Sequence, residues 1–199
     1  MYSCALWGPE EGGVRGDLDV HAPSSPDAST GTLVAGADVA NRALEAAQAR
    51  KITHVLAAAR IPPGGRVLEF GSGWGALAIA AARAGAEVDT LTLSVEQKQL
   101  AEERVREAGL EGRVRVHLMD YREVPRDWEG TFDAFISVEM LEVTSAAAIC
   151  TTADIILPQH VGTKHYSTYF SIVDRMLKKR GTAVVTCSTF PESRYSTHQ

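Results

Sequence analysis

Val67-Leu68-Glu69-Phe70-Gly71-Ser72-Gly73-Trp74-Gly75, VLEFGSGWG in one-letter code, decides the fold of this chain. Val-Leu-Glu-Phe is a short, mostly apolar run of the kind that forms a buried strand. Glycines at alternate positions then turn the chain, because a Cβ there would block close approach of backbone to a ligand. A helix of about ten residues from Trp74, stopped by Gly85, follows. The loop has the form G-x-G-x-G, whereas the dinucleotide signature is G-x-G-x-x-G. The shorter turn leaves less room for a pyrophosphate, and Glu69 before it would repel one. Glu69 would instead welcome the positive end of an amino acid ligand. The other reading of the loop is a purely structural turn.

Strands and helices alternate on either side of this stretch. Residues 8 to 40, rich in Gly, Pro, Ser and Asp, read as a long loop. A helix over Ala40–Ala59 follows, with Leu44, Ala47, Ile52, Val55, Leu56 and Ala59 as its buried stripe, and Pro62-Pro63-Gly64-Gly65 ends it. Downstream of Gly85 come a strand EVDTLTL (87–93) and a helix from Val95 to Ala108, with Gly109 as its stop. Ser94 and Gln97 have capping-box form, and Leu100, Ala101, Val105 and Ala108 give that helix its apolar stripe. A strand RVRVHLM (113–119), a loop from Asp120 to Gly130 and a strand FDAFISV (132–138) complete the middle. A helix from His165 to Lys179 is expected to bury Tyr166, Tyr169, Phe170, Val173, Met176 and Leu177. Gly181 and a last strand, TAVVTCS (182–188), follow it. Strands separated by helices of this length imply a parallel sheet with right-handed crossovers and helices on both faces. This is a Rossmann-like α/β fold.

The bulk numbers agree with that class. The chain has 199 residues, of which 45% are hydrophobic and 23% charged, ordinary values for a globular domain with a real core. Its net charge of −5 and lack of a basic block give no footprint for nucleic acid, so none is expected as a partner. The sequence has neither a run of about 18 apolar residues nor a secretory n-region, so no transmembrane helix or leader is expected. Cys4, Cys150 and Cys187, an odd number at wide spacing, fit a reducing compartment, and a cytoplasmic location is the expectation. No metal site is expected.

In such a sheet, ligands sit at the carboxyl ends of the strands. The end of the second strand holds Thr92-Leu93-Ser94 rather than the carboxylate that usually grips ribose hydroxyls, so Gln97 or Thr92 must do that work for a nucleoside. Gln97 has a rival reading as the capping-box partner of Ser94. Asp120-Tyr121, after the third strand, suits the amino group and ring face of adenine, or simply starts a loop. An NAD-binding oxidoreductase is disfavoured, because both the longer glycine signature and the acidic strand end are missing.

Taken together, MYSCA (1–5), AQARK (47–51), VLEFGSGWGALA (67–78), TLTLSVEQ (90–97), MDYRE (119–123), SVEMLE (137–142), VGTKHYSTYFSIVDRMLK (161–178) and PESRY (191–195) resemble the cyclopropane-fatty-acid synthase family. The resemblance implies a class I methyltransferase fold with S-adenosylmethionine as cofactor. The implied reaction transfers a methyl group to a double bond of an unsaturated fatty acyl chain of a phospholipid or related lipid. Ring closure to a cyclopropane follows loss of a proton, and peripheral contact with a membrane is implied too. Tyr2, Ser3, Gly71, Gly73, Thr92, Leu93 and Gln97 carry over as cofactor contacts. The family holds a bicarbonate ion as general base, and Cys4 and Glu142 match two positions of its shell. Without the resemblance, Cys4 reads as a small buried hydrophobe and Glu142 as a solvated loop residue.

The chain also departs from that pattern. Residues 143–159 (VTSAAAICTTADIILPQ) interrupt it, and removing them restores MLEHVGTKHYSTYF. Their ends suit a short retained intron translated in frame; the other reading is a loop insertion. The expected division is a cofactor-covering segment and loop over 1–39 and a methyltransferase domain over 40–199 carrying that insertion. The family has further chain before YSCA and a helix and two strands after PESRY. The expectation is therefore a fragmentary gene product whose sheet lacks its last two strands. Thr186 stands where the family has a histidine or glutamine. A methyltransferase for another lipid or a small molecule, and an inactive cofactor-binding fragment, are the competing readings.

Overall fold

Arg66–Phe70 (β1), Glu87–Thr92 (β2), Val114–Leu118 (β3), Phe132–Val138 (β4) and Leu177–Thr186 (β5) form one sheet of order β3-β2-β1-β4-β5. Every neighbouring pair is parallel. The computed structural model describes residues 4–8, 32–141 and 165–187. The chain divides into two compact units, Leu56–Gln199 (with the first two residues) and Ser3–Val55.

In the first unit, Ala76–Arg83 (α2) links β1 to β2 and Val95–Glu107 (α3) links β2 to β3. The chain then recrosses β1 to place β4 on its other side, so the switch point of the sheet lies between β1 and β4. Tyr166–Met176 (α4) precedes β5. Its residues Tyr169, Ile172, Val173 and Met176 pack with Leu68, Phe70, Leu91 and Phe135 in the main apolar cluster. Val67, Val88, Ala134 and Ile136, which alternate with those strand positions onto the other face, are equally buried. Both faces are thus covered, the condition for a parallel sheet. The Rossmann-like α/β reading holds.

Several local expectations shift. Residues 32–40, read as loop, are helical: α1 runs over Thr32–Ala59, because an alanine-rich stretch tolerates the single Gly36. Within α1, Ala47, Val55 and Ala59 are buried while Leu44 is exposed. In α4, the spacing 169, 172, 173, 176 is one helical face, which buries Ile172 and leaves Phe170 exposed, its ring edge-on to Tyr169 at 5.3 Å. The helix stops at Met176, three residues earlier than expected, because Leu177 already pairs with Phe132. Between that pair and the next, Ala134 with Thr182, Lys178 to Gly181 bulge outward. A Cβ on Gly181 would lie 3.0 Å from the Lys178 carbonyl oxygen, so the bulge needs a glycine.

On the α4 face, Asp89 is buried beside two arginines and a histidine. It is bound by Arg66 at 2.9 Å, Arg115 at 2.8 Å and His117 at 2.9 Å. Burial alone would raise its carboxyl, but the His117 and Arg115 hydrogen bonds and the charges of Arg115 and Arg66 hold it well below the usual carboxylate range. The Arg66 guanidinium also lies over the Phe132 ring at 4.4 Å. This cluster lies before the strand ends and is structural.

Candidate active site

The glycine turn is pinned to the neighbouring strand. The Gly71 and Ser72 amides both donate to the Leu91 carbonyl, at 3.0 and 2.8 Å, and the Gly75 amide donates to the Ser72 carbonyl at 2.8 Å. Gly71, Gly73 and Gly75 have φ of 87°, 48° and 81°, the left-handed region that glycine enters without steric cost. Each has a different neighbour. A Cβ on Gly75 would stand 3.2 Å from the Ala101 methyl, so this glycine lets α3 close on the turn. On Gly71 it would meet the Met140 sulfur at 3.0 Å, and on Gly73 it would meet nothing within 4 Å. Gly73 thus borders open space at the mouth of the turn.

At its base sits Glu69, which is only 4% exposed. Among the described residues, its Oε2 has no hydrogen-bond partner, and neither has the Ser72 hydroxyl, while Thr90 lies beside it on β2. Burial pushes the Glu69 carboxyl up to about 8, with the Thr90 side chain as the only counterweight. Two buried polar atoms without partners among the described residues, Glu69 Oε2 and the Ser72 hydroxyl, thus lie at the end of β1 and the start of the turn. Such groups cost free energy unless a ligand or water completes them.

The β2 end is more self-contained. Ser94 caps α3 by accepting from the Gln97 amide at 3.1 Å, as the capping reading expected. The return half of the box is altered. The Ser94 amide donates to Thr92 Oγ1 at 3.1 Å, and that hydroxyl donates to Gln97 Oε1 at 2.8 Å. Thr92 and Gln97 are therefore buried partners of each other, while Leu93 between them is 40% exposed. After β3, Asp120 caps a short 3-10 turn over Tyr121–Glu123, accepting from the Arg122 amide at 2.8 Å. The Arg122 guanidinium grips the same carboxylate and lowers its pKa. The Tyr121 ring lies 5.5 Å from both the Phe70 and Tyr169 rings.

Beyond β4 the structure adds residues that the sequence reading did not single out. Glu139 has a positive φ of 54° and donates its amide to the Thr186 carbonyl at 2.8 Å. For a side chain of that size this conformation is strained, and strain of this kind gathers at functional sites. It places Met140 against Gly71, and the Tyr166 hydroxyl holds the Leu141 carbonyl at 2.6 Å. Nothing in the residue types signalled this bend.

The strand ends bring together Glu69, Gly71, Gly73, Thr92, Leu93, Gln97, Asp120 and Tyr121. Tyr2, Ser3 and Glu142 lie outside the described residues, as does the interruption at 143–159. Cys4 belongs to the other unit and is exposed, against its reading as a buried hydrophobe. Thr186 Oγ1 is buried without a partner. Among the described residues, no helix is long and apolar enough to cross a membrane.

A parallel sheet with its switch point beside a G-x-G-x-G turn and an acidic foot to that turn is the class I methyltransferase fold. The same fold is found in the solved mycolic acid cyclopropane synthase CmaA1 complexed with SAH and CTAB. That structure aligns with a TM-score of 0.55 and 26% identity over 68% of this chain and 41% of that one. The chain belongs to the mycolic acid cyclopropane synthetase family, which matches residues 1–199. It is 38% identical over 151 residues to the tuberculostearic acid methyltransferase UfaA1 of Mycobacterium tuberculosis, covering 76% of this chain and 30% of that protein. It is also 38% identical over 139 residues to the cyclopropane-fatty-acyl-phospholipid synthase of Escherichia coli, covering 69% of this chain and 30% of that protein. The chain thus spans about a third of the length of these relatives.

Proposed function

We propose that the chain is the cofactor-binding part of an S-adenosylmethionine-dependent C-methyltransferase that forms cyclopropane rings on unsaturated acyl chains of phospholipids or related lipids. The observation that carries this reading is the buried Glu69 carboxyl, its Oε2 without a partner among the described residues, at the foot of an open glycine turn. That foot offers a pyrophosphate no cation and suits the ammonium of an amino acid ligand.

Bound there, the cofactor supplies an electrophilic methyl group. Glu69 would take its α-ammonium group, and the backbone at Gly71 and Gly73 would pass close along its amino acid portion. Thr92 and Gln97, locked to each other, would present the β2 end to the ribose, with Leu93 against one face of the adenine and the Asp120-Tyr121 pair at its edge. Tyr2 and Ser3 are proposed as further cofactor contacts. An alkene is itself the nucleophile, so the protein needs no strong base to start the transfer. It needs a dry, aromatic-rich wall and an acceptor for the proton lost on ring closure. Cys4 and Glu142 are proposed to hold a bicarbonate ion for that last step. A substrate of this kind places the enzyme at a membrane surface from the cytoplasmic side.

The test is lipid analysis of a host that expresses the gene, supplied with isotope-labelled methionine. Label in a cyclopropane-bearing acyl chain supports the proposal. Label in a methyl-branched chain or another lipid moves the assignment within lipid methylation, and no label in any lipid overturns it.

A further inference from the structure

We propose that cofactor binding at this site is coupled to proton release from Glu69, the ligand's α-ammonium group taking the place of the proton beside the carboxylate. The inference rests on the cofactor reading above and adds to it a dependence of binding on pH.

Among the described residues, Glu69 has no charged partner of its own. Its neighbours at the same level of the sheet are Thr90 on β2 and Ile136 on β4. The charged residues of those two strands, Glu87, Asp89 and Asp133, alternate onto the opposite face, where Asp89 and Asp133 are bound by Arg66 and by Lys178 respectively. The helix over the glycine turn, α2, carries one charge, Arg83, in its last turn. On α3, Lys98 is spent on Glu102 and on the Val116 carbonyl, and Arg104 donates to the Trp74 carbonyl of the glycine turn at 3.2 Å. Glu139, past the end of β4, is a further anion and cannot serve as a counter-ion. None of these charges contributes to the elevated titration of Glu69, which burial causes. A carboxyl so placed stays protonated at neutral pH in the ligand-free protein.

An arriving ammonium group changes that balance. Opposite charges in a site closed to water favour the ionised pair, provided hydrogen bonds complete it. The Thr90 hydroxyl beside the carboxyl and the Ser72 hydroxyl, buried and without a partner among the described residues, are the donors at hand. The exchange balances: a carboxylic acid and an ammonium ion become a carboxylate–ammonium pair, and one proton leaves to solvent. Binding therefore tightens as pH rises toward the titration of Glu69, by about tenfold per unit. It weakens again once the ligand's own ammonium group deprotonates.

Calorimetric titration with S-adenosylhomocysteine across about pH 6 to pH 9, in buffers of low and high ionisation heat, reads both quantities. The expected result is nearly one proton released per ligand at the acid end, falling to none at the alkaline end, with affinity rising in parallel. Glu69→Gln should bind more weakly and release no proton through that range. Infrared spectra of the wild-type protein give a check that needs no variant: a protonated carboxyl band should vanish on adding ligand. Binding that is retained but independent of pH, with no proton exchanged and the band unchanged, overturns the proposal while leaving the cofactor reading intact. A folded protein that binds no S-adenosylhomocysteine at any pH overturns the cofactor reading, and the proposal with it.

Discussion

Replacing Glu69 by glutamine should change how the ligand-free protein's stability depends on pH. Burial raises this carboxyl from its ordinary 4.5 to about 8, so the native state keeps a proton that the unfolded chain has lost. Below about 4.5 the group is neutral in both states and costs nothing. As pH rises from there toward 8, the unfolded chain gains ionisation that the native state is denied, and wild-type stability falls by about 1.4 kcal/mol per unit. Over the whole window the loss approaches about 5 kcal/mol, an upper figure because water reaching the carboxylate would lessen it. Glutamine escapes this loss but brings an amide without a partner, which costs about 1–3 kcal/mol at every pH. The variant should therefore be equal or inferior to wild type near pH 5 and superior by about 2–4 kcal/mol near pH 9. For a chain of this size that corresponds to a melting temperature higher by roughly 5–15 °C. Urea denaturation followed by circular dichroism at several pH values measures the difference. A gap between variant and wild type that stays constant from acid to alkaline pH would refute the assignment of Glu69 as a buried, unpaired acid.

Asp89 should behave in the opposite sense, because its native pKa is lowered: its stabilisation is present above about pH 4 and is lost as pH falls. Asp89→Asn should cost about 2 kcal/mol at neutral pH, below the usual figure for breaking a buried pair because Arg66 and Arg115, 28% and 40% exposed, can rehydrate. It should also blunt acid unfolding, and a variant with the wild-type acid transition would count against this account. Gly73→Ala and Gly75→Ala form a contrast: the first points into open space and should cost only about 1 kcal/mol of stability while weakening S-adenosylhomocysteine binding at least tenfold. The second drives a methyl into Ala101 and should lower stability by about 2–3 kcal/mol, as thermal melts would show. Thr92→Val removes the hydroxyl that joins Ser94 to Gln97 and should cost about 1–2 kcal/mol, with Gln97→Leu adding little on top of it in a double-mutant cycle.

The elements whose sequence period was strong were legible almost to the residue. FDAFISV spans β4 as read, and α3 begins at Val95 behind its Ser94 cap. The misses have local causes. α1 begins eight residues early because alanine outweighs one glycine, and β5 begins at Leu177 because a bulge, invisible in composition, sits within it. Phe170 was expected inside, but the helix can turn only one stripe inward, and Tyr169, Ile172, Val173 and Met176 fill it.

By itself, the sequence determined the class of the site. A strand, an acidic residue and a G-x-G-x-G turn carry their meaning locally, since glycine's freedom at positive φ does not depend on what lies across the sheet. Only the tertiary structure decided the state of each group. That Glu69 lacks a charged partner among the described residues while Asp89 has Arg66, Arg115 and His117 is a matter of which neighbours β2, β3 and the helices bring to each face. Thr92 and Gln97 became partners, and Met140 came to rest on Gly71, through the same assembly. Burial and pairing are properties of the packed sheet, and they turn one acidic residue into an anchor of the fold and another into the proposed seat of an ammonium ion.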